Sequence, residues 1–415
     1  ASATNTYNTA VGYGSGQAVT TGVENTLIGG LAGDALTDAD YNTAIGSLAL
    51  TADTLGSRTV AIGTGALAQQ NFTSATNVYN VAVGFSAGTS VTTGYNNTLV
   101  GGLSGDALTT GHSNVAMGVS SLGATTTATY NTAIGISALE TNTTGSANTA
   151  VGGDALKVST TGAENAAVGR SALAANTTGG NNTAVGFEAM DANTTGGSNV
   201  AVGSAALGAN TTASNNTAVG NGALTANTTG TSNTAIGGSA GAAVTTGIQN
   251  TIVGVSAGAI STGANNTAIG IFSSGGAVST GNNNTGLGYA TLYEVTSGSN
   301  NTAIGMDAGR AGSPSGSITT GSNIIVLGDD AVANAHIQVD WTVASDARDK
   351  TDFTALDLGL DFVKDLQPVT YKWDKRSKYG DKSAEGYDLN AQTPDGTHKE
   401  DWLDIGFKAQ EVEAL

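Results

Sequence analysis

Residues that could act on a peptide bond cluster in one short stretch, "TVASDARDKTDF", which runs from Thr342 to Phe353. Ser345 and Lys350 offer a nucleophile and a base at short spacing, and Asp346 follows the serine directly. A serine hydroxyl attacks a carbonyl effectively only when a base takes its proton, and a lysine can do so if burial lowers its pKa toward neutrality. The alternative is that Ser345 caps a helix beginning in "DARDK" while Lys350 is solvated. These residues alone leave both interpretations open.

Other kinds of chemistry find little support in the sequence. Cysteine is absent, which excludes thiol catalysis, zinc-thiolate sites and disulfides. The acidic residues of 1–335 are scattered singly, without the paired carboxylates that an external hydrolase needs. Glycine-rich stretches such as "GSGQAVTTG" lack the Lys-Ser/Thr pair of a phosphate loop, and the repeats carry Asn and Thr where a calcium roll needs Asp. We therefore expect no cofactor and no bound metal.

The composition is typical of a repetitive, folded chain. Among 415 residues there are 61 glycines, three prolines and only 11% charged residues, while Val, Ile and Thr are abundant. The net charge of −18 disfavours nucleic acid or an anionic membrane as a partner, because both are bound through basic patches. No apolar stretch approaches the ~20 residues that span a bilayer, so we expect a soluble protein without membrane insertion. The first residue is Ala rather than Met, which indicates processing or a fragment.

Charge is distributed unevenly along the chain. Residues 1–335 hold four basic and 15 acidic residues, whereas residues 336–415 hold ten and 17 together with all three tryptophans. This shift predicts a domain boundary near residue 335. We divide the chain into a shaft over 1–328, a connector over 329–344 and a C-terminal domain over 345–415.

The first part of the chain is a 17-residue repeat. The glycine of "NTAVG" recurs from Gly12 to Gly305, almost always 17 residues apart, with 21 residues between Gly63 and Gly84, steps of 16 and 18 around Gly270, and a degenerate last copy. Fixed glycines and "NTTG" segments in every copy exclude a helical repeat, whereas the alternation within "NTAVG" is typical of a strand. The repeat predicts a mostly β fold, a β-solenoid of about 19 coils stacked at ~4.8 Å into a rod ~90 Å long.

Stacking places equivalent residues above one another. We expect ladders in which Asn side chains bond to each other or to the turn backbone. Each coil has only about four apolar positions, mostly Ala, Val and Leu, which predicts a poor core for a single roll. Three rolls packed around an axis through the Ala face would improve it, and a monomeric solenoid is the alternative.

These repeats, of the form N-T-A-[VI]-G-x-x-[AS], resemble the head β-rolls of trimeric autotransporter adhesins, and similar arrays occur in bacteriophage tail fibres. The resemblance covers residues 1–328 and implies a trimeric roll. It also implies an extracellular setting, either in a virion tail fibre or on a bacterial cell surface.

The repeat departs from its period at one informative place. Four extra residues between Gly63 and Gly84, within "TGALAQQNFTSATNVYNVAVG", must loop out because neighbouring coils determine the register of each coil. The segment includes Gln69, Phe72 and Tyr79, and loops on a rigid scaffold often carry recognition. A tolerated difference in length is the alternative interpretation.

The C-terminal part has a different pattern. "FTALDLGLDFVKDL" places apolar residues at helical spacing from Phe353 to Leu366, Pro368 ends that helix, and "PVTYKW" alternates as a strand. "WLDIGFKAQEVEAL" is typical of a short strand that turns into a helix. The order predicts a small α+β domain.

The succession of "SDARDK", a helix ending in "LQPVTYKW", and "IGFKAQEV" closely resembles the intramolecular chaperone domain of endosialidase-type phage tail fibres and tailspikes. In that family the domain trimerises, guides assembly of the preceding β-rich fibre and removes itself through a Ser-Lys dyad. The resemblance implies Ser345 as nucleophile, Lys350 as base, Asp346 as the supporting residue and Ala344–Ser345 as the cleaved bond. It also implies helices beyond Leu415, so that the domain as given is expected to be incomplete.

Together these features predict a structural protein of a bacteriophage tail fibre. Its expected partners are two further copies of itself in a homotrimer, other virion tail proteins and a host cell-surface receptor such as a glycan. A bacterial surface adhesin head or another extracellular filament protein is the alternative. The only enzymatic activity expected is self-cleavage by the C-terminal domain.

Overall fold

A three-residue strand recurs in each repeat because its Thr-Ala-Val or Thr-Ala-Ile segment alternates between the inside and the outside of the coil. The computed structural model describes residues 6–260, 262–276, 279–333, 366, 368–372, 391, 393–399, 401 and 404–406. Within them no α-helix occurs. The strands are β1 Thr9–Val11, β2 Thr26–Ile28, β3 Thr43–Ile45, β4 Gly56–Ser57, β5 Val60–Ile62, β6 Thr76–Asn77, β7 Val81–Val83, β8 Thr98–Val100, β9 Val115–Met117, β10 Thr132–Ile134, β11 Thr149–Val151, β12 Ala166–Val168, β13 Thr183–Val185, β14 Val200–Val202, β15 Thr217–Val219, β16 Thr234–Ile236, β17 Thr251–Val253, β18 Thr267–Ile269, β19 Thr285–Leu287, β20 Thr302–Ile304, β21 Ile325–Leu327, β22 Val369–Tyr371 and β23 Asp404–Gly406.

Nineteen of these strands form one parallel sheet, which contains one strand from each coil. Neighbouring strands pair in register one repeat apart, as where Thr183 lies beside Val200 and Ala184 beside Ala201. The predicted β-solenoid is therefore confirmed. Two further strands, β4 and β6, pair beside the four-residue insertion.

Positions in a coil are counted here from the glycine that follows each strand, which is position 0. This glycine has a positive φ in every coil, for example +139° at Gly152. A Cβ at Gly152 would collide with the carbonyl oxygen of Gly169 in the next coil, whereas one at the adjacent Gly153 would meet nothing within 4 Å. Position 0 is thus restricted to glycine by both its backbone conformation and the close approach of coils.

The core is filled in two alternative ways. Many coils carry a buried Leu at position 4 and a short polar residue at position 7, as with Leu173 and Asn176. Other coils carry Gly at position 4 and a buried aliphatic residue at position 7, as with Gly241 and Val244. A Cβ at Gly241 would lie 3.4 Å from Cγ2 of Val244 at position 7 of the same coil. A large side chain at either position 4 or position 7 therefore fills the same volume of the core.

Asparagine at position 13 connects successive coils through both ends of its amide. The backbone N–H of Asn182 donates to Oδ1 of Asn165 at 3.0 Å, and its Nδ2 donates to the carbonyl of Gly196 at 2.8 Å. The same pair of bonds recurs along the solenoid, for example at Asn199 and Asn216. Each buried amide is satisfied, as burial of a polar group requires. The expected Asn ladder is confirmed at this position.

A second, shorter ladder runs along position 7. Nδ2 of Asn193 donates to Oδ1 of Asn176 at 2.9 Å, and Asn210 repeats the bond to Asn193 at 2.8 Å. Buried acceptors remain without a partner where the next coil has a different residue. Oδ1 of Asn142 is such an atom, because Ser159 stands in the following coil and its own hydroxyl is also unpartnered.

The apolar exterior of the solenoid corrects one prediction. The central residue of the strand is Ala in most coils and lies inside its own coil, where Ala184 is fully buried and not available to another chain. The third strand residue is Val, Ile, Leu or Met and faces outward, with exposed fractions of 38% at Val185 and 42% at Ile236. We call this column, at position 16, the valine face. An interface between rolls through the Ala face is wrong because Ala already forms the inner wall of the coil.

The chain divides into two compact units, Ala1–Ala335 and His336–Leu415. In the second unit β22 pairs antiparallel with β23, and Thr370 lies opposite Ile405. Both strands were predicted from "PVTYKW" and "WLDIGF". The helices predicted for this unit fall outside the described residues.

Candidate functional site

The predicted cleavage site lies outside the described residues. Ser345, Asp346 and Lys350 belong to the undescribed stretch 334–365, as does the bond between Ala344 and Ser345. Their roles stay predictions.

The insertion between Gly63 and Gly84 forms a small exposed loop. The chain follows the normal coil path to Phe72, whose carbonyl accepts from the amide of Leu55 at 3.0 Å, and returns to it at Val78, whose amide donates to Ser57 at 2.9 Å. Residues 73–75 between these anchors are exposed. The insertion is therefore a surface loop on an unbroken stack of coils.

The three residues predicted for recognition occupy different environments. Gln69 and Tyr79 are exposed, and the side chain of Tyr79 has an exposed fraction of 53%. Phe72 is buried, with 8% of its surface exposed. Phe72 consequently anchors the base of the loop, and its ring is not on the surface that a ligand would meet.

A buried polar cluster lies beneath the loop. Here Thr59 replaces the usual Asn of position 13, and Asp53 and Gln70 occupy position 7 in successive coils. Nε2 of Gln70 donates to Asp53 Oδ2 at 2.6 Å and to Thr59 Oγ1 at 3.1 Å, while Oε1 accepts from Asn80 Nδ2 at 2.8 Å. These hydrogen bonds thus replace the side-chain hydrogen bonds that the usual Asn would make at the position of Thr59.

Asp53 connects this cluster to the loop backbone. Its Oδ1 accepts from the amides of Gly56 at 3.1 Å and Phe72 at 3.0 Å. Burial raises the pKa of the Asp53 carboxyl, and the hydrogen bonds from Gln70, Phe72 and Gly56 oppose that increase. These three hydrogen-bond donors therefore stabilise the ionised carboxylate in a buried site that otherwise disfavours charge.

A row of aromatic and cationic side chains flanks the loop and was missed in the sequence. Each of six consecutive coils contributes one such residue at position 11 or 12: Tyr41, Arg58, Tyr79, Tyr95, His112 and Tyr130. We call this row the aromatic corner. An alignment of the coils reveals it, because each residue stands one or two places before the residue at position 13.

Other classes of site are not found in the part of the chain that the structure describes. There, no group of three or more His, Cys, Asp or Glu residues could hold a metal ion. No described helix is long and apolar enough to cross a membrane.

The C-terminal residues have a recognisable family. Residues 345–415 match the family model described as chaperone of endosialidase. The match confirms the resemblance predicted from "SDARDK", "LQPVTYKW" and "IGFKAQEV". A search of curated proteins found no match to the chain.

Proposed function

We propose that this chain is the structural protein of a bacteriophage tail fibre, in which a β-solenoid shaft is assembled by the C-terminal domain that follows it. The observation that carries the proposal is the order of the two units. A nineteen-stranded solenoid precedes residues that match a chaperone of endosialidase. A chaperone domain fused to a long repetitive rod has an evident task, namely the assembly of that rod.

The assembled shaft is a homotrimer packed through the valine face. This face is apolar along the whole solenoid, from Val11 with an exposed fraction of 58% to Leu327 with 48%. Exposed apolar patches of such extent mark interaction surfaces in soluble proteins. Three parallel copies around one axis would bury the valine face of every copy and form a closed assembly.

Correct register is the difficulty that a chaperone would solve. The coils bond through the same Asn and strand contacts at each 17-residue step, for example at Asn182 and again at Asn199. Two chains displaced by one repeat would therefore make nearly the same local contacts. A trimeric C-terminal nucleus would align the three chains before the shafts associate.

Self-removal follows from the predicted dyad. Lys350 as a free amine accepts the hydroxyl proton of Ser345, and Ser345 Oγ attacks the carbonyl carbon of Ala344. The C–N bond then breaks, the nitrogen of Ser345 takes a proton from Lys350, and an ester links Ala344 to Ser345 Oγ. Water hydrolyses this ester, so that the shaft ends at Ala344 and the released fragment begins at Ser345.

The mass of the shaft tests this cleavage. The full-length gene product is expressed as the wild type and as the variants Ser345→Ala and Lys350→Ala. The masses of the resulting polypeptides are measured by mass spectrometry. We expect a shaft ending at Ala344 from the wild type, and intact trimers from both variants. Arg348→Ala serves as the control, because we assign it no part in bond breaking. Cleavage at another bond, or undiminished cleavage of Ser345→Ala, would contradict the dyad and leave the chaperone role alone.

The fibre assignment has a separate test. Antibodies against the shaft should label the tail fibres of virions by electron microscopy. Labelling of a bacterial cell envelope in uninfected cells would instead support the alternative, an adhesin head.

A further inference from the structure

Neighbouring side chains of the aromatic corner contact one another. The guanidinium carbon of Arg58 lies 4.7 Å from the ring centroid of Tyr41, and its Nε donates to Oδ1 of Asn77 in the insertion loop at 3.0 Å. Farther along, Tyr95 and His112 stack with centroids 4.7 Å apart, and Tyr130 meets His112 edge to face at 5.6 Å. Side chains that hold one another lose little conformational freedom when a ligand binds.

Four tyrosine rings in this row remain open to solvent. The exposed fractions are 44% for Tyr41, 53% for Tyr79, 40% for Tyr95 and 64% for Tyr130. Five coil steps separate the first from the last, which gives a row about 24 Å long. An extended ligand lying along the rod would meet all four rings.

Assembly of the rod does not explain this row. In the coils that follow, position 12 is occupied by small or polar residues: Ala147, Glu164, Asn181, Ser198 and Asn215. The valine face, by contrast, keeps its apolar character along the whole solenoid. A contact needed by every coil would not be aromatic in only one section, so the aromatic corner serves a local purpose.

We propose that the aromatic corner binds an extended glycan chain, an inference that rests on the proposed tail-fibre function and on the host-receptor partner expected from the sequence. Flat rings with a hydroxyl at the rim suit sugar rings, which present apolar C–H faces and hydroxyls. A peptide strand is disfavoured because the backbone amides here already bond to the preceding coil, as Tyr41 does to Val23 and Tyr130 to His112. Nucleic acid is disfavoured because Arg58 is the only Lys or Arg in residues 1–156.

The variant that should lose glycan binding is chosen so that the backbone conformation is preserved. Tyr79 and Tyr130 both have left-handed φ values, 55° and 59°. Asn adopts this conformation readily and occupies the same position at Asn181 and Asn215. The double variant Tyr79→Asn/Tyr130→Asn therefore removes the rings without disturbing the coil. Tyr7→Asn is the matched control, because Tyr7 has the same position and a φ of 51° but lies outside the row.

The test measures binding of the full chain to a printed array of bacterial polysaccharide fragments, neutral and acidic. We expect the wild type and Tyr7→Asn to retain at least one extended fragment, and the double variant to bind it about tenfold more weakly. Unchanged thermal unfolding would show that the variant is folded. Absence of binding by the wild type, or equal binding by the double variant, would overturn the proposal. Neither outcome affects the fibre assignment, which the labelling of virions decides separately.

Discussion

Asparagine suits position 7 because one amide can accept from the Asn of the coil on one side and donate to the amide oxygen of the Asn on the other, as Asn193 does. Where the column contains another residue, a buried atom loses its partner, as Oδ1 of Asn142 does beside Ser159. A buried polar atom without a partner costs about 1–3 kcal/mol. The defect can therefore be repaired by a single substitution.

We expect Ser159→Asn to stabilise its section of the solenoid by about 1 kcal/mol. The new amide would donate to Asn142, and the coil has room because Leu156 occupies position 4 just as Leu173 does in the Asn176 coil. Hydrogen exchange of the amides in this section measures the change. The reciprocal control is Asn193→Ser, which breaks two bonds of the ladder and should lower protection. Lower protection in Ser159→Asn would contradict this account of the defect.

The carboxyl of Asp53 makes stability depend on pH. Because burial raises the pKa of this carboxyl in the folded chain, the carboxyl loses its proton at a lower pH in the unfolded chain than in the folded chain. The contribution of Asp53 to stability is thus complete below the ordinary pKa of 3.8 and is lost as pH rises through the raised folded value. The variant Asp53→Asn should not lose stability over this pH range.

Thermal midpoints of the wild type and Asp53→Asn, measured from about pH 3 to about pH 8, test this prediction. The wild type should lose stability relative to the variant as pH rises through the window. Asp38→Asn is the control, since Asp38 is exposed. A difference between wild type and Asp53→Asn that is constant with pH would show that the carboxyl is not perturbed.

At the scale of elements, the insertion loop can be separated from the coil that carries it. Deleting residues 73–76 restores the 17-residue step and leaves the buried anchors Phe72 and Val78 in place. We expect the coil to stay folded and attachment to host cells to weaken. Cell-binding assays and thermal unfolding measure the two effects.

A variant of unchanged length is the control for this deletion. Replacing residues 73–75 with Gly-Ser-Gly keeps the loop but removes its side chains, so it separates the loop's length from its chemistry. If the deleted chain attaches as well as the wild type does, the insertion is only a tolerated irregularity.

The sequence predicts the elements of the coil better than its surfaces. The period of Gly12 to Gly305 predicts the parallel strands, because a 17-residue step leaves one pairing register. The alternation of Ala and Val predicts two faces but not which one is internal. Most coils place Ala on the inner wall beside a large side chain at position 4 or 7, whereas the larger Leu27 and Leu99 fill this place where position 4 is Gly. Tyr95 and His112 are 17 residues apart, so their contact depends on the stacking and is not visible in either local segment.

At the scale of the whole molecule, the valine face should decide the oligomeric state. Lysines at adjacent sites of this face, Val185→Lys/Val202→Lys, would bring charges together in a trimer but would leave a single coil intact, because both side chains already face solvent. We expect light scattering to show folded monomers of the variant and trimers of the wild type. Asn181→Lys, at an exposed position of the same coil outside the valine face, should remain trimeric. A folded wild-type monomer, or a trimeric double variant, would contradict the interface.

The asparagine ladder also gives the rod a direction of growth. Each finished coil presents a free Oδ1 that receives the next backbone N–H, as Asn8 does for Asn25 and Asn301 does for Ile324. A chain leaving the ribosome can therefore add coils one at a time to a template that is already ordered. The backbone N–H of Ile324 donates to Oδ1 of Asn301, but the side chain of Ile324 has no acceptor to offer, so the asparagine ladder ends at this coil. The asparagine ladder thus runs through the shaft to its last described coil.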